Sequence, residues 1–172
     1  MRASNVSAPY SDVNPYALAP AVSPHIAAHE AGVDIRIDVV RASFDRLAAQ
    51  SDAVIVEGAG GWLAPISERL TMADIAHTLG LPVVLVVGMR LGCLNHAALT
   101  HAAVTDSGLP FAGWIASCVD AGMDRLQNNI DTLARILRAP PWAVLPHAQE
   151  TPPSVARALR VAIPEWSTRM KS

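Results

Sequence analysis

Two glycine-leucine-proline junctions, at residues 80–82 and 108–110, constrain the fold of this chain more than any other feature of its sequence. Each junction follows a segment with helical periodicity and precedes an apolar run rich in β-branched residues. Glycine readily ends a helix in the left-handed conformation, and proline cannot continue one, so each junction predicts the end of a helix and the start of a strand. Helix and strand therefore alternate, which is typical of an α/β protein with a mostly parallel sheet.

The remaining patterns predict one domain over residues 1–172 with a defined order of elements. The proline-rich residues 1–23 predict an irregular arm without helix, and Ser23-Pro24 predicts the start of a short helix. Further predicted helices cover residues 36–49, 71–80, 95–107, 124–138 and 154–162, and residues 164–172 predict a frayed tail. Predicted strands cover residues 53–56, 82–88, 111–116 and 142–145. Because these runs lack polar alternation, we expect a sheet that is covered by helices on both faces.

Two helix starts carry capping signals. Thr71 with Asp74 three residues later predicts a capping box, and Asn95 predicts the cap of the helix that follows.

Composition excludes several classes of protein. Apolar residues make up 51% of the chain and charged residues 16%, so it has enough apolar surface to fold. The net charge of -2 is not the excess of positive charge that is typical of proteins that bind nucleic acid or an anionic membrane. No apolar run is long enough to span a bilayer, and the first residues do not resemble a signal peptide, so we expect a cytoplasmic protein. Cys93 and Cys118 lack CxxC spacing, which favours free thiols over a disulfide.

Glu57 and the glycine-rich residues 58–61 follow the predicted strand at 53–56. In open parallel sheets, ligands bind beyond the carboxyl ends of strands. A carboxylate there can hold Mg2+, and backbone without side chains lets a phosphate or substrate approach N–H groups closely. The alternative is a tight turn beside a solvated acid. GxGxxG is absent, so the turn is not a dinucleotide-binding fingerprint.

The histidines allow a second, weaker interpretation. His25 and His29 lie four residues apart on a predicted helix and so could share a metal ion. The alternative is ordinary surface or packed histidines, because no third ligand is nearby in the sequence.

Several segments together resemble dethiobiotin synthetase, a family of the P-loop class. The most distinctive are residues 54–62 (VIVEGAGGW) and 84–96 (VLVVGMRLGCLNH). Residues 13–16 (VNPY), 23–25 (SPH) and 112–116 (AGWIA) are similar to the same family in sequence and order. The resemblance covers nearly the whole chain.

This resemblance implies an ATP-dependent ring-closing ligase that forms dethiobiotin from 7,8-diaminopelargonate, CO2 and ATP in biotin biosynthesis. It implies Glu57 as a Mg2+ ligand and a homodimer in which one subunit's loop reaches the other's active site. The implied nucleotide-binding residues are Glu57, Gly58, Ala59, Gly60, Ser117, Cys118, Pro146, His147 and Ala148. The implied substrate-binding residues are Gly61, Trp62, Gly92, Cys93, Leu94 and Asn95.

The chain departs from the family pattern in two respects. Ser117-Cys118 stands where the family often has an asparagine-containing pair for the base, and residues 146–148 match only by position. The P-loop sequence G-x-x-x-x-G-K-[ST] is missing, and the only lysine is Lys171. We therefore expect an N-terminally truncated chain without the P-loop unit, with no catalytic residue of its own and no activity in isolation. Two alternatives stay open: a non-catalytic remnant or dimerising partner, and a related P-loop amidoligase or partitioning ATPase.

Overall fold

Residues 5–147 are described in the computed structural model, and the chain divides into two compact units, Met1–Leu81 and Pro82–Ser172. The described residues of the first unit form α1 (Tyr10–Val13), α2 (Pro24–Glu30), α3 (Ile37–Ala48) and α4 (Met72–Leu79). The described residues of the second form β1 (Val83–Gly88), α5 (Cys93–Asp106), β2 (Phe111–Ser117), α6 (Leu126–Ile136) and β3 (Ala143–Leu145). The single domain over residues 1–172 stays a prediction.

The two glycine junctions behave as the sequence predicts. Gly80, with φ 66°, and Gly108, with φ 80°, both adopt the left-handed conformation, and a parallel strand begins within three residues of each. Every helix and strand predicted between residues 71 and 145 is present, with ends shifted by a few residues at most. The α/β prediction is thus confirmed. The helix predicted at 154–162 and the tail at 164–172 lie outside the described residues.

The prediction of an arm without helix is wrong, because residues 10–13 form the single turn α1. Pro9 lies at the cap position of this turn, where its carbonyl accepts a hydrogen bond from the Asp12 N–H at 3.0 Å. The Asp12 carboxylate in turn accepts a hydrogen bond from Arg46 Nε of α3 at 2.9 Å. The interval between Pro9 and Pro15 is long enough for one turn, and the ion pair holds that turn against α3.

The strand predicted at residues 53–56 is also absent from the structure. Ile55 is 84% exposed, and no backbone group of residues 53–56 bonds to another backbone group within residues 5–147. An apolar β-branched run raises the propensity for a strand, but a strand exists only where a neighbouring strand accepts and donates its hydrogen bonds. No strand of the first unit's described residues supplies that neighbour.

Helices and loops of the first unit pack around a small apolar cluster. Its fully buried members are Ala28, Ile35 and Ile66. The Tyr16 hydroxyl, beside this cluster, accepts a hydrogen bond from the Arg36 N–H at 3.0 Å and so fixes the start of α3. Residues 5–36 are thereby tied to the helical part of the unit.

The second unit is a parallel sheet in the order β1-β2-β3. Alternate residues Trp114, Ala116 and Cys118 lie in one core cluster, together with residues from both α5 and α6. Within residues 82–147, α5 and α6 therefore cover the same face of the sheet. Val86 is 60% exposed, so the prediction that β1 is buried on both faces is wrong.

Both cysteines are free and buried, as their spacing favours. None of the helices formed by residues 5–147 has the length and apolar character needed to cross a lipid bilayer.

Gly113 allows the ring of Trp142 to pack directly against β2. A Cβ atom at Gly113 would lie 2.4 Å from Trp142 Nε1 and 2.5 Å from Cε2, both well inside van der Waals contact. Trp142 also donates its backbone N–H to the Trp114 carbonyl at 2.8 Å, so the indole cannot withdraw without disturbing the approach to β3. The position therefore requires glycine.

We expect Gly113→Ala to lower the free energy of unfolding by about 1–3 kcal/mol, because overpacking forces the indole or the strand to shift. Urea denaturation followed by circular dichroism measures this loss. Combining it with Trp142→Ala, which removes the opposing ring, should cost less than the sum of the two single substitutions. Additive losses would contradict the clash.

Candidate functional site

Residues 57–61 of the first unit form an exposed turn whose glycines have conformational roles. Gly60 has φ 82° and Gly61 has φ 118°, both in the region that favours glycine. A Cβ atom at Gly60 would lie only 3.0 Å from the Cβ of Ala64. The turn therefore presents bare backbone to solvent, as a site for phosphate or a small substrate requires.

The start of α4 holds this segment in place. The first N–H groups of the helix, at Met72 and Ala73, donate to the carbonyls of Ala64 and Trp62, each at 2.9 Å. The predicted capping box is confirmed: the Asp74 carboxylate accepts hydrogen bonds from the Thr71 N–H at 2.7 Å and from the Thr71 hydroxyl at 2.8 Å. These donors anchor the loop, so this helix start is not free to bind an anion.

Glu57 carries an exposed carboxylate with no hydrogen bond or ion pair to any residue in 5–147. Mg2+ in proteins commonly keeps several waters and is held by one or two carboxylates together with substrate phosphates. A free carboxylate beside bare glycine backbone fits that kind of site. No group of three or more His, Cys, Asp or Glu residues within 5–147 is placed to form an all-protein metal site.

Trp62 is half-buried and lies against α4. Its ring centroid is 6.4 Å from that of His77, with the two planes tilted by 54°. The neighbouring Gly61 carbonyl accepts a hydrogen bond from the Ala64 N–H at 3.1 Å. The Trp62 side chain therefore packs beside the glycine turn. Its indole has one N–H that could donate a hydrogen bond to a ligand.

In the second unit, the parallel direction of the strands brings three segments to one edge of the sheet. β1 ends at Gly88, β2 at Ser117 and β3 at Leu145, and these three residues are neighbours in the strand register. The segments that follow these strands therefore begin at the same edge, where α/β sheets bind ligands.

The segment after β1 leads into an open helix start. Gly92 is the N-cap of α5 with φ 94°, and Cys93, buried in the core, is the first helical residue. The N–H groups of Gly92, Leu94 and Asn95 have no hydrogen-bond partner within residues 5–147. Free N–H groups and the positive end of a helix dipole favour an anion.

The prediction that Asn95 caps this helix is wrong. Asn95 lies in the first turn, and its exposed side chain makes no hydrogen bond to any described residue. Gly92 is the cap residue instead. Its positive φ directs the chain into the helix, and residues with a side chain rarely adopt that conformation. Asparagine was the stronger sequence signal, but the backbone geometry decided the position.

The segments after β2 and β3 are joined by hydrogen bonds. The Cys118 N–H donates to the Leu145 carbonyl at 2.9 Å, and the His147 ring nitrogen Nδ1 lies 3.2 Å from the Cys118 carbonyl. The Cys118 thiol points into the core, where burial raises its pKa. Ser117, the residue before Cys118, lies on the opposite face of the strand. Pro146 and His147 are exposed. Ala148 lies outside the described residues.

The structure thus places the predicted site residues in two groups. Residues 57–62 belong to the first unit, and residues 92–95, 117–118 and 146–147 belong to the second. Sequence reasoning missed the Gly92 cap of α5 and the hydrogen bond between the His147 ring and the Cys118 carbonyl. No sequence signal identifies that hydrogen bond, because the two residues are 29 positions apart.

His25 and His29 line a shallow depression of about 520 Å³ in the first unit, together with Asp34, Ser67 and Glu68. The Ser23 hydroxyl lies 2.9 Å from His25 Nδ1. Within residues 5–147 no third His, Cys, Asp or Glu joins them in a group that could hold a metal ion, and the choice between a metal pair and ordinary histidines stays open.

Comparisons with known proteins relate most of this chain to an AAA domain and to dethiobiotin synthetases. A family model described as an AAA domain matches residues 1–154. An ATP-dependent dethiobiotin synthetase BioD from Aromatoleum aromaticum is 51% identical over 150 residues, which are 87% of this chain and 67% of that protein. Proteins with the same name from Xanthomonas campestris pv. campestris (strain B100) and Pseudomonas aeruginosa (strain UCBPP-PA14) are each 47% identical. They match 84% and 87% of this chain, which spans 64% and 66% of their own lengths.

Asp74 generates a pH prediction for the first unit. Hydrogen bonds from the Thr71 backbone and hydroxyl hold the pKa of Asp74 below its ordinary value of 3.8. As the pH falls, the Asp74 carboxylate is therefore protonated in the unfolded chain before it is protonated in the folded protein. The stabilisation that the ionised carboxylate provides above about pH 4 is lost at lower pH. We expect the unfolding free energy of the parent to fall more steeply between about pH 5 and 3 than that of Asp74→Asn.

Urea denaturation at several pH values measures the two slopes. Asp52→Asn is the matched control, because Asp52 is exposed and makes no hydrogen bond with the described residues. Equal slopes for the parent and Asp74→Asn would rule out the capping box as a source of acid sensitivity.

Proposed function

Because this chain belongs to the dethiobiotin synthetase family, we propose that it carries the substrate and nucleotide sites of an ATP-dependent ligase that closes the ureido ring of dethiobiotin. The observation that carries this proposal is the open start of α5. Three N–H groups with no partner among residues 5–147 lie in the most distinctive of the segments that resemble the family, residues 84–96. An anion site there suits a substrate that ends in a carboxylate.

The proposed reaction has three balanced steps. One amine of 7,8-diaminopelargonate attacks CO2 and loses a proton, which gives a carbamate. A carbamate oxygen then takes the γ-phosphoryl group of ATP, so that ADP leaves and a carbamic-phosphoric anhydride forms. The second amine attacks the carbamoyl carbon and loses a proton, the C–O bond to phosphate breaks, and the ring closes.

In this proposal the first unit serves the phosphate end of the reaction. Glu57 would hold Mg2+, which supplies charge neutralisation for the triphosphate when bound. The backbone of Gly58, Ala59 and Gly60 lies next to that carboxylate and is unobstructed by side chains, so its N–H groups can approach a phosphate. Gly61 and Trp62 would form a wall of the substrate site.

The second unit serves the substrate carboxylate and the nucleotide base. The N–H groups of Gly92, Leu94 and Asn95 would bind the carboxylate, and Cys93 fixes the helix start through its buried side chain. In the homodimer that we propose, this loop serves the active site of the partner subunit, as an isologous interface allows. Ser117, Cys118 and residues 146–148 would receive the base. We also propose a cytoplasmic location for this protein.

The distribution of lysine limits what this chain does alone. Phosphoryl transfer depends on positioning and on cations that neutralise the developing charge. The single lysine of the 172 residues is Lys171, and no segment has the G-x-x-x-x-G-K-[ST] pattern. Arginine does not substitute at such a site, because its planar fork differs from a compact ammonium. A non-catalytic dimerising protein is therefore the second candidate, and the lysine count favours it.

A related amidoligase is a weaker alternative. Residues 90–96, with their glycine cap and open helix start, belong to the segment that resembles dethiobiotin synthetases. We therefore assign the anion site to the substrate carboxylate of that reaction.

We expect the purified 172-residue chain to form no dethiobiotin from ATP, bicarbonate, Mg2+ and 7,8-diaminopelargonate, because no P-loop lysine is present. Product is measured by mass spectrometry. The comparison is a version fused to the third of the Aromatoleum relative that this chain does not match. Turnover by the short chain at a rate near that of the fusion would overturn the assignment of residues. Inactivity of both would favour the non-catalytic candidate.

Asn95→Pro tests the carboxylate site, because proline removes one N–H donor and is tolerated in the first helical turn. We expect binding of 7,8-diaminopelargonate to weaken about tenfold, the scale of one hydrogen bond to a charged group. Isothermal titration calorimetry measures the affinity. Asn95→Ala keeps the N–H and removes only the side chain, so it should bind like the parent. Equal loss in the two variants would assign the contact to the side chain instead.

A further inference from the structure

His147 is the second residue after β3. A hydrogen bond from its ring to the Cys118 carbonyl fixes the orientation of the side chain. Nδ1 lies 3.2 Å from the Cys118 carbonyl, which can only accept a hydrogen bond, so Nδ1 carries the proton and donates it. In the neutral imidazole the second nitrogen, Nε2, then has a lone pair and is an acceptor. Nε2 has no hydrogen-bond partner within residues 5–147, and the side chain is exposed.

The backbone around His147 is largely committed to other bonds. The Ser117 carbonyl accepts hydrogen bonds from the Met89 N–H at 2.7 Å and the Val119 N–H at 2.9 Å. The Cys118 N–H donates to Leu145, and the Cys118 carbonyl accepts from His147. These bonds continue the pairing of the three strands beyond their ends. The backbone groups in these bonds are therefore not available to a ligand.

Two polar side chains of the paired segments 117–118 and 145–147 remain available. The Ser117 hydroxyl makes no hydrogen bond to any described residue, and it can turn to donate or to accept. Nε2 of His147 cannot adapt in this way while Nδ1 is tied to the carbonyl. Of the two groups, only the imidazole nitrogen has a fixed hydrogen-bonding role, and only a group with a fixed role discriminates between a donor and an acceptor on the ligand.

We propose that His147 determines the base selectivity of the nucleotide site, with Nε2 accepting a hydrogen bond from the 6-amino group of adenine. Guanine has a carbonyl oxygen at that position. This oxygen and Nε2 are both hydrogen-bond acceptors, so their lone pairs would repel each other. This inference rests on the proposed function, since it assumes that the edge receives a purine nucleotide. It adds a reason for the choice of base at a site where the asparagine-containing pair of the family is absent.

Two substitutions of His147 distinguish the proposed hydrogen bond to the base from the hydrogen bond to the Cys118 carbonyl, which we call the tether. The amide nitrogen of asparagine falls near the position of Nδ1, so His147→Asn keeps a donor for the Cys118 carbonyl and removes the acceptor. The amide of glutamine falls near the position of Nε2, so His147→Gln keeps an acceptor for the base and loses the tether. Because the side chain is exposed, neither substitution disturbs the core.

The experiment uses the 172-residue chain at about pH 8. Long-range proton–nitrogen NMR spectra of the labelled histidines report which ring nitrogen carries the proton. Adenosine, purine riboside and guanosine are then titrated against the parent and both variants. Purine riboside differs from adenosine only by the missing 6-amino group, so their ratio isolates the proposed bond.

We expect a protonated Nδ1 in the free protein and a shift of the Nε2 resonance with adenosine. Adenosine should bind about three- to tenfold more tightly than purine riboside, the scale of one neutral hydrogen bond, and guanosine should bind more weakly still. The preference should disappear in His147→Asn and persist in part in His147→Gln.

The contrary outcomes separate the two levels of the argument. If adenosine binds but shows no preference over purine riboside, or if His147→Asn keeps the preference, the role of His147 is wrong and the nucleotide site stands. If none of the three nucleosides binds at millimolar concentration, the nucleotide site of the proposed function fails, and the inference fails with it.

Discussion

The hydrogen bonds of β2 to both of its neighbours are the constraint on which the second unit depends. β2 is the central strand, and its register places the last residues of β1, β2 and β3 side by side. Met89 and Cys118 extend this pairing by one residue beyond the strands, through bonds to Ser117 and Leu145. The start of α5 and the loop at His147 therefore leave the sheet from defined points. Both parts of the proposed site depend on backbone pairing rather than on their own side chains.

The local features of the fold were predictable from sequence because their causes are local. Glycine at positions 80 and 108 adopts positive φ without a steric penalty, and Thr71 and Asp74 satisfy each other's backbone within one turn. The alternation of helix and strand follows from these stops and starts. The family resemblance rested on other short segments, chiefly residues 54–62 and 84–96, and the comparisons confirmed it.

The failures concern features that depend on distant residues. Residues 53–56 have the composition of a strand, but pairing needs a neighbour that no local pattern specifies. Asn95 has the chemistry of a cap, but the chain enters α5 through the positive φ of Gly92. The contact between His147 and Cys118 joins two loops that only the parallel register brings together. Of the proposed site, sequence could name the segments, while the donors and acceptors that each presents became visible only in three dimensions.

The burial of both cysteines gives the second unit a built-in chemical reporter. Cys93 is 3% exposed and Cys118 is 8% exposed, and both belong to one core cluster. Alkylating reagents react with thiolates in contact with water, so modification of either side chain requires transient opening of that cluster. Cys93 is also the first residue of α5, next to the N–H groups of Gly92, Leu94 and Asn95, and Cys118 adjoins the loop at His147. The rate of thiol labelling would therefore measure how often each half of the site loses its shape, and a bound ligand would slow the thiol that it protects.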